Sequence, residues 1–141
     1  MQDTIFTGTY YYQIDPKGRM RLPASFKSLL GEKLRIGFGV GKFLVVYTEQ
    51  SVEELSRQRK ALNPLSDMQA LKHYRNMFMS MKEFTCDAQG RYKIPMDYCE
   101  EFELSDEIVI VGNDSTVEIW SKANFDRRDE DEIAFWQLYK K

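Results

Sequence analysis

The sequence predicts an α+β chain made of two copies of one unit, related by a pseudo-two-fold, with an αα-hairpin between them. Three observations predict it. The segment Asp15-Pro16-Lys17-Gly18-Arg19-Met20-Arg21-Leu22-Pro23 returns 72 positions later as Asp87-Ala88-Gln89-Gly90-Arg91-Tyr92-Lys93-Ile94-Pro95. Further matches follow after a one-residue shift: Gly39 meets Gly112, Leu44 meets Val117 and Tyr47 meets Trp120. Two stretches with apolar residues at helical spacing lie between the copies. Two copies at so long a period exclude a solenoid and mark an internal pseudo-dimer.

The first unit opens with the β-rich run Tyr10-Tyr11-Tyr12-Gln13-Ile14. Asp15 to Gly18 is a turn, with Pro at its second place and Gly at its fourth. Arg19-Met20-Arg21-Leu22 alternates polar and apolar, so it returns as a strand with both arginines on one face. Pro23 opens a short helix with Phe26, Leu29 and Leu30 on one side, and Gly31 stops it. In the second copy Pro95, Tyr98 and Phe102 take these places. A hairpin closes each unit, Leu34–Phe38 with Phe43–Tyr47 and Ile108–Val111 with Val117–Trp120.

Ser51 with Glu54 reads as a capping box for the first central helix, whose Val52, Leu55 and Leu62 fall near one face. Asn63-Pro64 breaks the chain, and Ser66 with Gln69 reads as the cap of the second helix. That helix carries Met68, Leu71, Tyr74, Phe78 and Met81 at spacings of three and four, an apolar stripe expected to fill core against the sheets. The division expected is residues 6–50, a helical connector 51–80, residues 81–124, and a tail 125–141. In the tail, Asp126 to Glu132 reads as a solvated linker and Ile133 to Trp136 as a segment apolar enough to dock.

Composition excludes several classes. The chain has 141 residues, 43% of them hydrophobic, with eight Tyr and nine Phe, which is ample for a core and argues against disorder. No apolar run approaches the ~20 residues of a membrane span, and MQDTIFTG has no basic region leading into an apolar stretch, so neither a span nor a signal peptide is expected. Cys86 and Cys99 are too few and too far apart for a disulfide framework or a metal clip, and fit reduced thiols in a cytosol. The one histidine, His73, reads as an exposed or half-buried helix residue, so neither a metal site nor a catalytic base is expected. Gly37-Phe38-Gly39-Val40-Gly41-Lys42 fails as a phosphate loop, because Ile36 and Phe43 stand where Gly and Ser or Thr are required. Hairpin glycines explain it. With no catalytic constellation, no enzyme and no cofactor is expected.

Net charge is −2, but it is unevenly spread. Residues 1–46 carry seven Lys/Arg against three Asp/Glu, and residues 84–141 carry seven against fourteen. A basic first unit can face a polyanion while the acidic end keeps the chain in solution. Lys17, Arg19 and Arg21 sit on the first turn and the strand leaving it, and Lys27 lies in the helix that follows. These are the candidate DNA contacts, since Arg forks to phosphate or guanine, Lys supplies a point charge, and a β-ribbon can enter the major groove. Arg19 has a second reading, a clamp on Asp15 across the turn, which Arg91 with Asp87 would repeat. Asp15, Gly18, Asp87, Gly90 and Arg91 are the structural turn residues.

The paired Asp15–Pro23 and Asp87–Pro95 segments resemble the DxKGRxxxP signature of the MraZ family, bacterial proteins made of two AbrB-like units. Phe6-Thr7-Gly8, Tyr47, Arg75, Ile94-Pro95, Val111-Gly112 and Glu118-Ile119-Trp120 follow the same pattern in order. The resemblance implies a swapped-hairpin β-barrel for each unit and assembly into a ring-shaped homo-oligomer. It also implies a cytoplasmic, nucleoid-associated transcriptional regulator of the division and cell-wall gene cluster, binding direct repeats of double-stranded DNA in its own promoter. The second unit departs from the pattern where Gln89 stands opposite Lys17, so the weight of DNA contact is expected on the first unit. Two other classes remain open: an antitoxin-like module that binds a protein through the segment 133–139, and a structural ring without DNA binding, which the pI near 5.5 favours.

Overall fold

A computed structural model describes residues 5–39, 41–129 and 132–133. In chain order the elements are β1 (Thr9–Ile14), β2 (Arg19–Met20), α1 (Ala24–Leu30), β3 (Leu34–Gly37), β4 (Leu44–Tyr47), α2 (Glu49–Lys60) and α3 (Met68–Ser80). The second copy supplies β5 (Lys82–Phe84), β6 (Tyr92–Lys93), α4 (Met96–Glu101), β7 (Asp106–Asn113), β8 (Thr116–Ser121) and α5 (Lys122–Asp126).

The fold is α+β with two AbrB-like units, and the strands of both units interleave in one antiparallel sheet, β5-β3-β4-β8-β7-β1-β2-β6. The resemblance implied a barrel for each unit; a single barrel-like sheet serves both. Each strand of the first unit pairs with one of the second: β1 with β7, β2 with β6, β3 with β5 and β4 with β8. Exchanging the units maps this set of pairings onto itself, which is the pseudo-two-fold. Even single contacts obey it, since Ile14 pairs with Met20 and, 72 positions on, Cys86 bridges Tyr92. That second bridge brings the two ends of the strand order together and nearly closes the barrel. A unit alone would leave most strand edges unpaired, so each half needs the other.

The barrel interior is apolar and drawn from both copies, with Met20, Ile36, Leu44, Phe84, Ile94, Ile108, Ile110 and Ile119 at 2% exposure or less. The short helices plug its ends. Pro23 and Pro95 precede α1 and α4 with nearly the same backbone angles, φ −53° in both. Phe26 and Leu30 of α1 are buried, but Leu29 is 50% exposed and does not join them. At the N-terminal edge, Phe6 bridges Asp114, and a side chain on Gly112 would strike the backbone of Thr7 at 2.4 Å. The glycines after β3 lie in the β3–β4 hairpin loop, as read from the sequence.

The central helices differ from expectation in two ways. The capping box of α2 is formed by Thr48 and Ser51, not by Ser51 and Glu54: Thr48 Oγ1 accepts from Ser51 N, and Ser51 Oγ accepts from Thr48 N. Glu54 instead pairs with Arg57. Helix α3 begins after Asp67, with no side-chain cap, so Ser66 and Gln69 do not cap it. The αα-hairpin touches the edge formed by β3 and β4 without entering the barrel core. None of its apolar residues joins the described core cluster, Met68 and Met79 are 57% and 76% exposed, and Leu65 in the connecting turn is 88% exposed. Leu71, Tyr74, Phe78 and Met81 of the stripe are half-buried and lie outside the core cluster, so the stripe does not fill the barrel core. The end of α3 is tied down where Ser80 Oγ bonds to Phe38 N and O, and Tyr98 donates to the Ser80 carbonyl.

On the outer side of the sheet, Phe43 stacks on Trp120 at 4.5 Å and Phe125 of α5 meets Trp120 edge-on at 5.8 Å. Arg128, read as part of a solvated linker, lies with its guanidinium 3.6 Å from the Phe125 ring centre and its side chain only 6% exposed. The apolar stretch from Ala134 onward lies outside the described residues.

Candidate nucleic-acid interface

The two repeated segments form two turns with the same internal wiring. In the first, Gly18 N donates to Asp15 O at 3.0 Å, and Asp15 Oδ1 accepts from Lys17 N and Arg19 N at 2.9 and 2.8 Å. In the second, Gly90 N donates to Asp87 O at 3.1 Å, and Asp87 Oδ1 accepts from Gln89 N and Arg91 N, both at 2.9 Å. Each Asp turns its other oxygen to an arginine: Asp15 Oδ2 to Arg19 Nε at 2.6 Å, Asp87 Oδ2 to Arg91 Nε at 3.0 Å. The clamp is thus present in both copies. Gly18 and Gly90 take φ of +82° and +80°, the left-handed region where glycine carries no Cβ penalty.

These bonds account for the charge state of the aspartates. The Arg19 backbone N–H is the largest influence holding the Asp15 carboxyl below its ordinary value, helped by the Arg19 side chain and the Lys17 N–H. Asp87 is lowered in the same way, first by the Arg91 backbone N–H. Hydrogen bonds to the charged form favour it. Both turns therefore carry a carboxylate that is already committed to its own loop.

The fold sets the turns side by side. β2 and β6 pair antiparallel, with Arg19 opposite Lys93 and Met20 opposite Tyr92. Met20 and Tyr92 are buried, so alternation sends Arg19, Arg21, Arg91 and Lys93 to the outer face of one two-stranded ribbon. Two bonds then cross between units: Arg21 Nη1 donates to Gln89 O at 2.7 Å, and Lys93 Nζ donates to Lys17 O at 2.8 Å. Since 93 is the repeat mate of 21, and 89 of 17, these are one contact made twice. Lys27 completes the second side, 5.9 Å from the Tyr92 ring centre and within 2.8 Å of where a Cβ on Gly90 would stand.

The ribbon and its turns carry six cations, Lys17, Arg19, Arg21, Lys27, Arg91 and Lys93, with the two turn aspartates held in their own loops, while Glu100, Glu103 and Asp106 border the first turn. Beside it runs an open groove of about 780 Å³, walled by Tyr12, Gln13, Pro16, Arg19, Arg21 and Arg91. Reading the sequence as two separate units placed Lys93 and Arg91 away from the first-unit cations. The repeat itself held the signal, because strands related by a two-fold can pair with each other across it. Among the described residues no group of three or more His, Cys, Asp and Glu could hold a metal ion, and no helix is long and apolar enough to cross a membrane.

A family model described as "MraZ protein, putative antitoxin-like" matches residues 5–72 and 77–135. The chain is 35% identical over 135 residues to a protein of Desulforamulus reducens named transcriptional regulator MraZ, covering 95% of this chain and 94% of that one. A protein of the same name from Desulfitobacterium hafniense is 36% identical over 133 residues, 92% of each chain. Another from Alkaliphilus oremlandii is 32% identical over 128 residues, 91% of this chain and 89% of the other. The relatives' name describes a regulatory, non-enzymatic role. With two repeated turns on one interleaved sheet and matches along nearly its whole length, the chain belongs to the MraZ family.

Proposed function

We propose that this chain is a DNA-binding transcriptional regulator that lays the β2–β6 ribbon on double-stranded DNA. The single observation that carries this is the ribbon itself: four cations on its outer face, flanked by Lys17 and Lys27, on a chain whose net charge is −2. A surface so enriched against the total supplies phosphate contacts and, through arginine, base contacts. The relatives' name supports the regulatory reading. Resemblance to the family supports the finer picture: cytoplasmic and nucleoid-associated action on direct repeats in the promoter of the division and cell-wall gene cluster, through a ring-shaped homo-oligomer. The exposed side chains of Leu65, Met68 and Met79 on the αα-hairpin are compatible with assembly through it.

Binding to DNA from upstream of this protein's own gene, measured across a salt series, tests the reading. Each phosphate contact contributes about −0.9 to the slope of log affinity against log salt. Lys17→Ala, Arg21→Ala and Lys93→Ala are each expected to weaken binding and flatten that slope while fold and assembly persist. From the sequence alone Lys93→Ala is expected to do less than the other two; its place on the ribbon gives it a share. Loss from none of the three would remove the ribbon from the function. The antitoxin-like reading rests instead on the segment 133–139, nearly all of which lies outside the described residues; light scattering that gave a mass near 16.7 kDa at micromolar concentration would count against the ring.

A further inference from the structure

The ribbon is symmetric in backbone and in its number of cations but not in their chemistry. At the first turn stand Lys17, Lys93 and the clamped Arg19; at the second stand Arg21, Lys27 and the clamped Arg91. Each end therefore carries three cations and one turn aspartate, and Glu100, Glu103 and Asp106 border the first turn besides. What differs is the pair of crossing residues. Lys93 gives one of its three ammonium N–H groups to the Lys17 carbonyl and keeps two, enough for a phosphate oxygen but with no planar fork. Arg21 spends one Nη on the Gln89 carbonyl and keeps Nε and the other Nη for a partner. A guanidinium pinned at one nitrogen is held in place with a free edge, whereas a pinned ammonium has no edge to offer.

We infer that the chain docks on DNA with one fixed polarity: Arg21, reaching over the second unit's turn, reads a base, and its mate Lys93 only positions a phosphate. This rests on the DNA reading above and deepens it, because it makes Arg21 the specificity-determining residue of the ribbon. It also places the base-reading end beside the second turn, although the residue that reads comes from the first unit. Arg can fork to guanine O6 and N7, and Lys contributes a point charge. A true homodimer with two arginines would read a palindrome. This chain, with one Arg and one Lys at mated positions, reads an asymmetric element in one direction.

The test uses substitutions that conserve charge, in the full chain. Arg21→Lys, Lys93→Arg and the double exchange are measured on the shortest promoter duplex that still binds, and on a scrambled duplex of equal length. Arg21→Lys is expected to reduce the ratio of specific to non-specific affinity about tenfold or more, with non-specific affinity unchanged. Lys93→Arg is expected to leave that ratio within about twofold, since a phosphate contact carries no sequence information. An iron chelate tethered to Cys86, which is exposed while Cys99 is buried, is expected to cut on one flank of the site only. Equal losses of specificity from the two single variants, an unchanged ratio for Arg21→Lys, or cutting on both flanks would overturn the polarity. Failure of the unmodified chain to bind either duplex would instead overturn the DNA reading on which the polarity rests.

Discussion

The two turns share a skeleton and differ in their surroundings. Asp15–Arg19 and Asp87–Arg91 make the same five hydrogen bonds and hold their glycines within two degrees of each other in φ. Yet Gly18 is buried against the end of the opposite unit, with its carbonyl accepting from Ile94 N at 2.8 Å, whereas Gly90 is half-buried beneath the side-chain ends of Lys27 and Arg21. Local sequence therefore dictates the turn, and the partner unit dictates what the turn can tolerate and present. A pseudo-dimer can hold its architecture in repeated residues while its function drifts apart in the residues between them.

The largest test of this difference is steric. A Cβ at Gly18 would lie 2.6 Å from the Ile94 carbonyl oxygen, which is backbone and cannot swing away; at Gly90 it would lie 2.8 Å from Lys27 Nζ, which can. Both substitutions carry the cost of a branched side chain at positive φ, about 1–3 kcal/mol. Gly18→Val adds a backbone clash and is expected to cost about 3 kcal/mol or more, a fall of roughly 10 °C in melting temperature. Gly90→Val is expected to stay near the strain cost alone, about 1–2 kcal/mol. Thermal unfolding of both variants decides it. Equal losses would mean that the two turns sit in equivalent environments.

The same contrast explains how far the sequence could be read. Turn positions, strand alternation, both short helices and the closing hairpins were legible, because each depends on residues within a few positions of one another. Pro23, Gly31 and the Asp-x-x-Gly-Arg turns need no tertiary knowledge. Sharing of one sheet between the units was not legible, since it depends on β1 choosing β7 and β3 choosing β5 across more than 40 residues. The methionine stripe of α3 has the period of a core helix, and period reports a face without saying what covers it. Helix caps misled for a related reason. Thr48 and Ser51 lie one turn earlier than Ser51 and Glu54, and Ser51 stands where the pattern asks for Glu or Gln, so the sequence pattern passes over the quartet that forms the box. For the site, Lys17, Arg19, Arg21 and Lys27 were found by charge, but the crossing of Arg21 to Gln89 and of Lys93 to Lys17 belongs to the pairing of β2 with β6.

A second test makes the turns more alike. Gln89 occupies in the second turn the place that Lys17 holds in the first, and both side chains are exposed. Gln89→Lys adds a cation next to Arg21 without disturbing its bond, which goes to the main-chain carbonyl. Affinity for DNA of any sequence is expected to rise, and the salt slope to steepen by about 0.9 for each chain engaged. A gel-shift series at several salt concentrations measures it. If the slope does not move, the second turn lies away from the phosphates, and only the first turn and the crossing residues face DNA.

The smallest effect expected is titration. The carboxyls of Asp15 and Asp87 sit below their ordinary value because backbone and side-chain donors stabilise the charged form in the folded turn. In the unfolded chain those donors are gone and the carboxyls return to about 3.9. A group whose folded value is the lower one contributes stability that is complete above the unfolded value and fades as pH falls through the folded value. Melting temperature is thus expected to be insensitive to these groups from pH 7 to about 5, and to decline through them below about 4. Asp15→Asn removes that acid dependence at the first turn and Asp87→Asn at the second. The first is expected to flatten the profile more, because its carboxylate lies closer to its arginine, 2.6 against 3.0 Å, and is slightly less exposed, 31% against 39%. Melting curves between pH 2.5 and about 7 for both variants and the unmodified chain test this window. Profiles that fall in parallel for all three would show that neither turn carboxylate contributes to the acid transition, and that the clamp serves geometry alone.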